Sequence, residues 1–171
     1  MNKYVSLAKK ALETYVKENE IIEIPKNLPK KMLEERAGVF VTIEKKGELR
    51  GCIGTSLPTQ ENIAQEIIHC SISVATQDYR FGPVLEHELP ELTYSVYILS
   101  TPELTTDIDS LNPQKYGVIV ADQFGKTGLL LPGLEGIDTP EQQISIACQK
   151  AGIDATKEKV ALYKFTVKKH S

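Results

Sequence analysis

The chain has 171 residues and a formal net charge of -3, and it is 41% hydrophobic and 25% charged. That length suits one domain, or two closely packed subdomains, and it can bury a core without disulfide or metal staples. The composition excludes a disordered or fibrous chain. No run approaches the roughly 20 apolar residues of a membrane span, and the N-terminus does not resemble a signal peptide. We therefore expect a cytoplasmic protein with no membrane partner.

The cysteines and the charge pattern narrow the class of protein further. Cys52, Cys70 and Cys148 are odd in number and widely spaced, so neither a disulfide framework nor a structural zinc site is expected. The negative net charge argues against a broad polyanion-binding surface, so nucleic acid is not an expected partner. Alternating lysines on a strand usually form a solvated face. The end of the chain is locally basic through Lys157, Lys159, Lys164, Lys168 and Lys169.

The first half of the chain predicts two helices and a hairpin. Apolar residues recur at helical spacing over residues 3–17. Residues 38–44 are rich in β-branched and aromatic types, and a lysine-lysine-glycine turn separates them from residues 48–53, which predicts a hairpin. A second helix is predicted over residues 61–76, with Thr59 as its cap.

The second half predicts a loop, a further helix and more strands. Residues 77–83 are typical of a loop because of their glycine and proline, and residues 100–113 form another. Thr139, followed by proline, opens a helix that Gly152 closes. Strands are predicted over residues 92–99, 116–121, 128–131 and 160–168. The order indicates an α+β fold, with a mostly antiparallel mixed sheet flanked by helices.

Residues 49–54, Leu-Arg-Gly-Cys-Ile-Gly, carry the strongest chemical signal. On a strand, Arg50 and Cys52 share a face. A cysteine acts as a nucleophile only as its thiolate, and a nearby cation lowers the thiol pKa. Glycines at 51 and 54 would let a ligand approach the backbone. Alternatively, Cys52 is a buried apolar residue.

Arg50 also has an alternative role, because it could simply pair with Asp78 or Glu48. Asp78 and Arg80 alternate with Tyr79 and Phe81 in the predicted loop, where they could line a polar-rimmed pocket. A structural salt bridge that fixes the loop explains them equally well. The residues alone leave both alternatives open.

Two other motifs are rejected. Gly125-Lys126-Thr127 lacks the glycine that a phosphate-binding loop needs five positions before its Gly-Lys pair, and a strand follows it, so Lys126 is interpreted as a hairpin-tip residue. The three histidines, His69, His87 and His170, are scattered, so no metal site is predicted.

The hexapeptide at 49–54 resembles the signature of the AMMECR-type domain family. Residues 77–81 resemble that family's Asp-x-Arg-Phe loop, residues 88–92 its approach to a strand, and residues 116–120 a later glycine-bearing strand. Residues 128–132, 135–136, 138–143 and 150–153 look most like the prokaryotic branch called AmmeMemoRadiSam system protein A. The match covers almost the whole chain, so a single domain over residues 1–171 is predicted.

The resemblance implies a fold with a larger and a smaller subdomain and a cleft near the hexapeptide. It also implies companions, namely a Memo-like protein related to metal-dependent dioxygenases and a radical S-adenosylmethionine enzyme. The family's biochemical activity is not established, although enzymatic and RNA-related roles have been suggested, and no cofactor is implied. The positions that match the family's motifs are Arg50, Gly51, Cys52, Gly54, Asp78, Arg80, Phe81, Pro132 and Glu135.

Two hypotheses follow. In the first, which we favour, the protein is an accessory module that binds a substrate or a partner, and Cys52 is structural. In the second, the protein is an enzyme in which Cys52 is a nucleophile or covalent handle, and Arg50 or Arg80 holds an anionic group. The second hypothesis also needs a general base, which His69 or His170 could supply if folding brought it close.

Overall fold

A computed structural model describes residues 1–171, which divide into two compact units. The larger unit comprises Met1–Leu99 with Lys168–Ser171, and the smaller comprises Ser100–Val167. Each unit has a four-stranded sheet and helices, so the predicted α+β class is confirmed. No helix combines the length and the apolar character that crossing a membrane requires.

The larger unit packs its helices on one face of a sheet with strand order β2-β1-β3-β8. β1 pairs antiparallel with both β2 and β3. Its core joins the inner side chains of β1 to the apolar stripes of the first and third helices. The helices are α1 (Lys3–Glu18), α2 (Lys30–Glu34) and α3 (Ile63–Thr76), and the strands are β1 (Val39–Lys45), β2 (Glu48–Gly54), β3 (Leu92–Leu99) and β8 (Val167–His170).

The hairpin between β1 and β2 follows from local chemistry. Lys46 and Gly47 have φ values of 53° and 81°. Two successive left-handed residues are typical of the type I′ turn, whose twist suits a two-residue hairpin. The predicted hairpin and the predicted helix over residues 3–17 are both confirmed.

The smaller unit places one helix against a sheet with strand order β4-β7-β5-β6. Thr139 accepts a hydrogen bond from the Gln142 backbone at the start of its helix, and Gly152, with φ 70°, ends that helix, as predicted. The helix is α4 (Pro140–Ala151), and the strands are β4 (Glu103–Thr105), β5 (Gly117–Asp122), β6 (Thr127–Leu130) and β7 (Val160–Phe165).

Several predicted elements differ from the structure. The strand predicted over residues 160–168 is two strands, since β7 ends at Phe165 in one sheet and β8 begins at Val167 in the other. Apolar residues alternate without interruption through this break, so their period does not reveal it. The loop predicted over residues 100–113 contains β4 and a 3-10 helix at Ile108–Ser110. A second 3-10 helix spans Glu86–Glu91.

The predicted cap of α3 is also wrong. Asn62, not Thr59, accepts the capping hydrogen bond from the Gln65 backbone. The Thr59 hydroxyl and backbone N–H instead donate to the Glu66 carboxylate, at 2.7 and 2.8 Å. Thr59 therefore belongs to a loop that is bound to the helix, and α3 begins two residues later than predicted.

Candidate functional site

The hexapeptide occupies β2, which lies at one edge of the larger sheet. Gly51 is buried against α3, where an added Cβ would lie 2.8 Å from the Val74 Cγ2. Arg50 and Cys52, on either side of Gly51, point to the opposite face of the sheet. Gly51 is thus required by close helix packing.

Arg50 is held by Glu88, not by Asp78 or Glu48 as the sequence suggested. Its Nε and Nη2 donate to the two Glu88 oxygens at 2.9 and 3.0 Å. Its other donors bond the carbonyls of Gly82 and Pro83, at 3.2 and 3.0 Å. Since every guanidinium nitrogen is engaged, Arg50 fixes residues 82–88 against β2 and has little donor capacity for a ligand.

The pair of Arg50 and Glu88 should make the free energy of unfolding depend on pH in the acidic range. The Arg50 hydrogen bonds hold the pKa of Glu88 at about 2, against an ordinary value of 4.5, so the unfolded state binds more protons between these values. The contribution of Glu88 to stability is complete above about pH 4.5 and is lost as the pH falls towards 2.

Glu88→Gln should remove this part of the acid dependence, at most about 3 kcal/mol for a shift of this size. Urea denaturation of the two proteins between pH 2 and pH 7 would measure it. An acid profile that the substitution leaves unchanged would contradict the assignment.

Asp78 and Arg80 form a bidentate pair at the outer edge of β2. The Asp78 oxygens accept from Arg80 Nε and Nη2 at 2.9 and 2.8 Å. Asp78 also accepts the Cys52 backbone N–H at 3.0 Å, and Arg80 Nη2 donates to the Cys52 carbonyl at 3.3 Å. The hydrogen bonds between the two side chains lower the pKa of the buried Asp78 and raise that of Arg80. The pair therefore bonds both backbone groups of Cys52 where a neighbouring strand would otherwise lie.

Cys52 is half-buried, and its thiol has a polar neighbour. The Thr42 hydroxyl on β1 donates to Cys52 Sγ at 3.1 Å. In the sheet register, Thr42 pairs with both Cys52 and Ser95, so the three residues form a row across β2, β1 and β3. A thiol and two hydroxyls thus share the sheet face that is turned away from the helices.

The other two cysteines lie in the cores. Burial raises the pKa of Cys70 to about 12, with a further contribution from the charge of Glu66, and Cys70 Sγ donates to the Val39 carbonyl. Burial also raises the pKa of Cys148. Thiolate chemistry at neutral pH is therefore suppressed at both positions.

Alkylation of the native protein is expected to modify Cys52 first. At pH 8 the thiolate fraction of Cys70 should be about a thousandfold smaller than for its ordinary pKa of 9.0, and Cys70 and Cys148 are also buried. Mass spectrometry of peptides at successive times would measure the three rates, with the urea-unfolded chain as the reference. Modification of Cys70 at the same rate as Cys52 in native protein would contradict the burial of Cys70.

The three histidines lie on α3, in the 3-10 helix at Glu86–Glu91 and on β8, not on β2 with Cys52 or on its partner strand β1. His69 lies exposed on α3 beside the isoleucines at 21, 22 and 24. His170 stacks on the Tyr4 ring at 3.9 Å, and its Nδ1 lies 3.0 Å from the Asn2 amide. His87 is exposed in the 3-10 helix at Glu86–Glu91. No group of three or more histidine, cysteine or acidic side chains is arranged to hold a metal ion.

The loop that carries Asp78 displays its other side chains outward. Tyr79 is 93% exposed, and Phe81 is exposed as well. The exposed Arg80 guanidinium lies 5.1 Å from the centroid of the Phe81 ring, within cation–π range. Leu49 and Leu85 are also exposed large apolar residues. Aromatic, cationic and aliphatic groups are thus presented on residues 79–85 and at the start of β2.

Glu66, which supports the loop after β2, belongs to no motif that the sequence revealed. This carboxylate is fully buried and accepts hydrogen bonds from Thr55, Thr59 and Gln60. Burial alone would raise the pKa of Glu66, but these hydrogen bonds outweigh burial and lower it. The sequence feature that could have identified Glu66 is its position on the buried side of an amphipathic helix, where a charged residue is rare.

The remaining predicted positions lie in the smaller unit. Glu135 is exposed in the turn before α4, next to Gly136, whose φ is 82°. Lys126 lies at the tip of the β5–β6 hairpin, as predicted, and its ammonium group bonds the Gly152 carbonyl and Glu158 at 3.1 and 3.3 Å. Lys126 therefore ties the hairpin to the end of α4. The binding role of Glu135 stays a prediction.

The fold and the hexapeptide define an α+β protein with an arginine-fixed loop at the edge of its larger sheet. The family model AMMECR1 matches residues 5–170, and the chain therefore belongs to the AMMECR1 family. A Thermotoga maritima protein is 48% identical over 98% of this chain and 96% of its own length. A Clostridium acetobutylicum protein is 45% identical over 98% of this chain, which spans only 35% of that relative.

A solved structure shows the same architecture. The crystal structure of an uncharacterised protein from Pyrococcus horikoshii has a TM-score of 0.89 and 33% sequence identity, and the match covers 97% of this chain and 88% of that one. The α+β fold is therefore shared with a protein of known structure.

Proposed function

We propose that the protein is a binding module whose loop at residues 78–85 docks onto a partner protein. The observation that carries the proposal is that this loop is fixed at both ends while its middle is exposed. Asp78 bonds the Cys52 backbone at one end, and Arg50 bonds the Gly82 and Pro83 carbonyls at the other. Tyr79, almost fully exposed, lies between these two attachments.

A fixed loop is favourable for binding because little conformational entropy remains to be lost on association. The residues that it presents are also suitable, since tyrosine and arginine are enriched among the side chains that dominate interface energies. Arg80 is oriented by Asp78 and by the Phe81 ring, so it can meet an acidic group without first being ordered. Exposed apolar groups clustered in this way are typical of interaction sites.

The resemblance of the motifs within residues 128–153 to the AmmeMemoRadiSam branch supports a choice of partner. We infer that the loop binds the Memo-like protein or the radical S-adenosylmethionine enzyme, through a surface with an acidic group for Arg80. The three thiols are consistent with a reducing compartment such as the cytoplasm, where such an assembly would work. In this proposal Cys52 is structural, and Arg50 contributes by holding the loop.

Binding to the purified companions is expected to depend on the loop. Tyr79→Ala and Arg80→Ala should each weaken binding at least about tenfold, as for interface residues that cost more than about 1.4 kcal/mol. Cys52→Ala should leave the affinity within about threefold of the original. Isothermal titration calorimetry with each companion would measure these affinities.

Phe124→Ala provides the matched control, because Phe124 is an exposed aromatic residue that does not belong to the loop at residues 78–85. It should bind normally. The proposal fails if neither companion binds the original protein, or if Cys52→Ala weakens binding as much as Arg80→Ala while both variants remain folded.

One observation favours a second function. The Thr42 hydroxyl donates to Cys52 Sγ at 3.1 Å, which is the kind of contact that stabilises a thiolate. We therefore keep as an alternative that Cys52 is a nucleophile or covalent handle in the modification of RNA or a small molecule. The pH dependence of Cys52 alkylation decides between them, since an apparent pKa well below about 8.5 would favour the enzyme.

A further inference from the structure

The segment that follows α1 has an open main chain. Asn19 ends the helix in the left-handed conformation, with φ 55°, and its N–H bonds the Tyr15 carbonyl. Residues 20–24 belong to no helix or strand, and no hydrogen bond between backbone groups involves them. Such unpaired groups resemble the edge of a sheet, which can pair with another strand.

The side chains of the same segment alternate. Ile22 and Ile24 pack against the core of the larger unit. Ile21 is 68% exposed, and Glu23 lines the groove described next. A period of two is that of an extended chain, so the burial of these side chains follows the pattern of a strand.

An apolar groove of about 490 Å³ lies between this segment and α3. Its helical wall is formed by Ile68 and Ile72 with Gln65 and His69, which recur at the spacing of one helix side. The opposite wall is formed by residues 21–24. The volume falls within the range of small binding pockets, and the isoleucines give it an apolar lining.

We propose that residues 20–24 receive an extended segment of a partner protein by β-strand addition, with alternate apolar side chains of that segment entering the groove. The open main chain specifies the partner's conformation, because an extended chain is what satisfies successive N–H and C=O groups of a strand. The groove beside it specifies β-branched or other apolar side chains at every second position. Glu20 and Glu23 favour lysine or arginine near the ends of the incoming segment.

This surface is distinct from the loop at residues 78–85. The groove is lined by residues 21–24, by α3 and by Gln60, whereas the loop is fixed to β2 by Asp78 and Arg50. The inference therefore does not depend on the proposed function, and either can fail without the other.

The first test needs no partner. Hydrogen exchange of the native protein, read by mass spectrometry, should show the amides of residues 20–24 exchanging within about tenfold of the unstructured rate. Amides in β1, at the centre of the larger sheet, should be strongly protected. Protection of residues 20–24 comparable to that of β1 would overturn the proposal, because the segment would then lack an open main chain.

The second test uses a displayed library of random linear peptides as the probe. Selected peptides should alternate apolar and polar residues, carry lysine or arginine at an end, and protect residues 20–24 from exchange at least about tenfold. N-methylation of alternate peptide amides should abolish binding in one register and leave it unchanged in the other, since only one set faces the receiving strand.

Variants of the exposed isoleucine complete the test. Ile21→Asp should weaken the selected peptides at least about tenfold, whereas Ile21→Val should bind within about threefold of the original. Ile108→Asp is the control, because Ile108 is an exposed isoleucine of the smaller unit. The proposal is overturned if no peptide is recovered, if the peptides have helical spacing, if Ile21→Asp binds normally, or if Ile21→Asp instead breaks a dimer of this chain.

Discussion

Replacing Arg50 with methionine is expected to lower the free energy of unfolding by about 3 kcal/mol at pH 7. The side chains of Arg50 and Glu88 are only 12% and 9% exposed, so the variant would leave a buried carboxylate without its bidentate partner. It would also leave the Gly82 and Pro83 carbonyls without their donors. Urea denaturation followed by circular dichroism would measure the change.

Lys46→Met is the control for that experiment. Lys46 pairs with Glu91 at 3.4 Å, but both side chains are exposed to solvent, so its loss should leave the urea midpoint unchanged within the error of the measurement. Equal effects of the two substitutions would show that the Arg50 pair contributes no more than a surface contact. A loss of companion binding in Arg50→Met would then need an explanation other than release of the loop.

Gly54→Ala is expected to destabilise the larger unit by about 2–3 kcal/mol. An added Cβ would collide with the Val39 carbonyl oxygen and with the Phe40 ring. The carbonyl belongs to the paired strand β1 and accepts the Thr55 N–H, so it cannot move without breaking the sheet. Thermal and urea unfolding of the variant would measure the loss.

Cys52→Ala is the comparison for Gly54→Ala on the same strand. It removes a half-buried thiol and the Thr42 contact, and should cost no more than about 1 kcal/mol. If Gly54→Ala is as stable as the original chain but fails to bind a companion, then Gly54 is needed so that a ligand can approach the backbone. The expected loss of stability would show that Gly54 is required, like Gly51, by the close packing around it.

Much of the site was predictable because its causes are local. The hairpin follows from its turn residues, and Asp78 and Arg80 are close enough in sequence to predict their pairing. The partner of Arg50 was not predictable, since Glu88 is 38 residues away and only folding brings the two together. Two other acidic candidates, Asp78 and Glu48, were equally consistent with the sequence.

Other features depend on tertiary contacts, which the spacing of apolar residues in the sequence does not reveal. The change of sheet after Phe165 is one example, because the apolar residues at 161, 163, 165 and 167 alternate evenly across it. Nothing in that pattern says that β7 and β8 join different sheets. Glu66 was missed for a related reason, because the donors that make its burial possible lie in the loop at residues 55–60.

The pairing of Asp78 and Arg80 with the Cys52 backbone also bears on how copies of this chain associate. An edge strand with open N–H and C=O groups can add strands from other copies and so begin aggregation. At Cys52 both groups are already bonded by the loop, so β2 is closed at that point to pairing with a second copy. The loop that displays Tyr79 thus also protects the sheet edge from unwanted association.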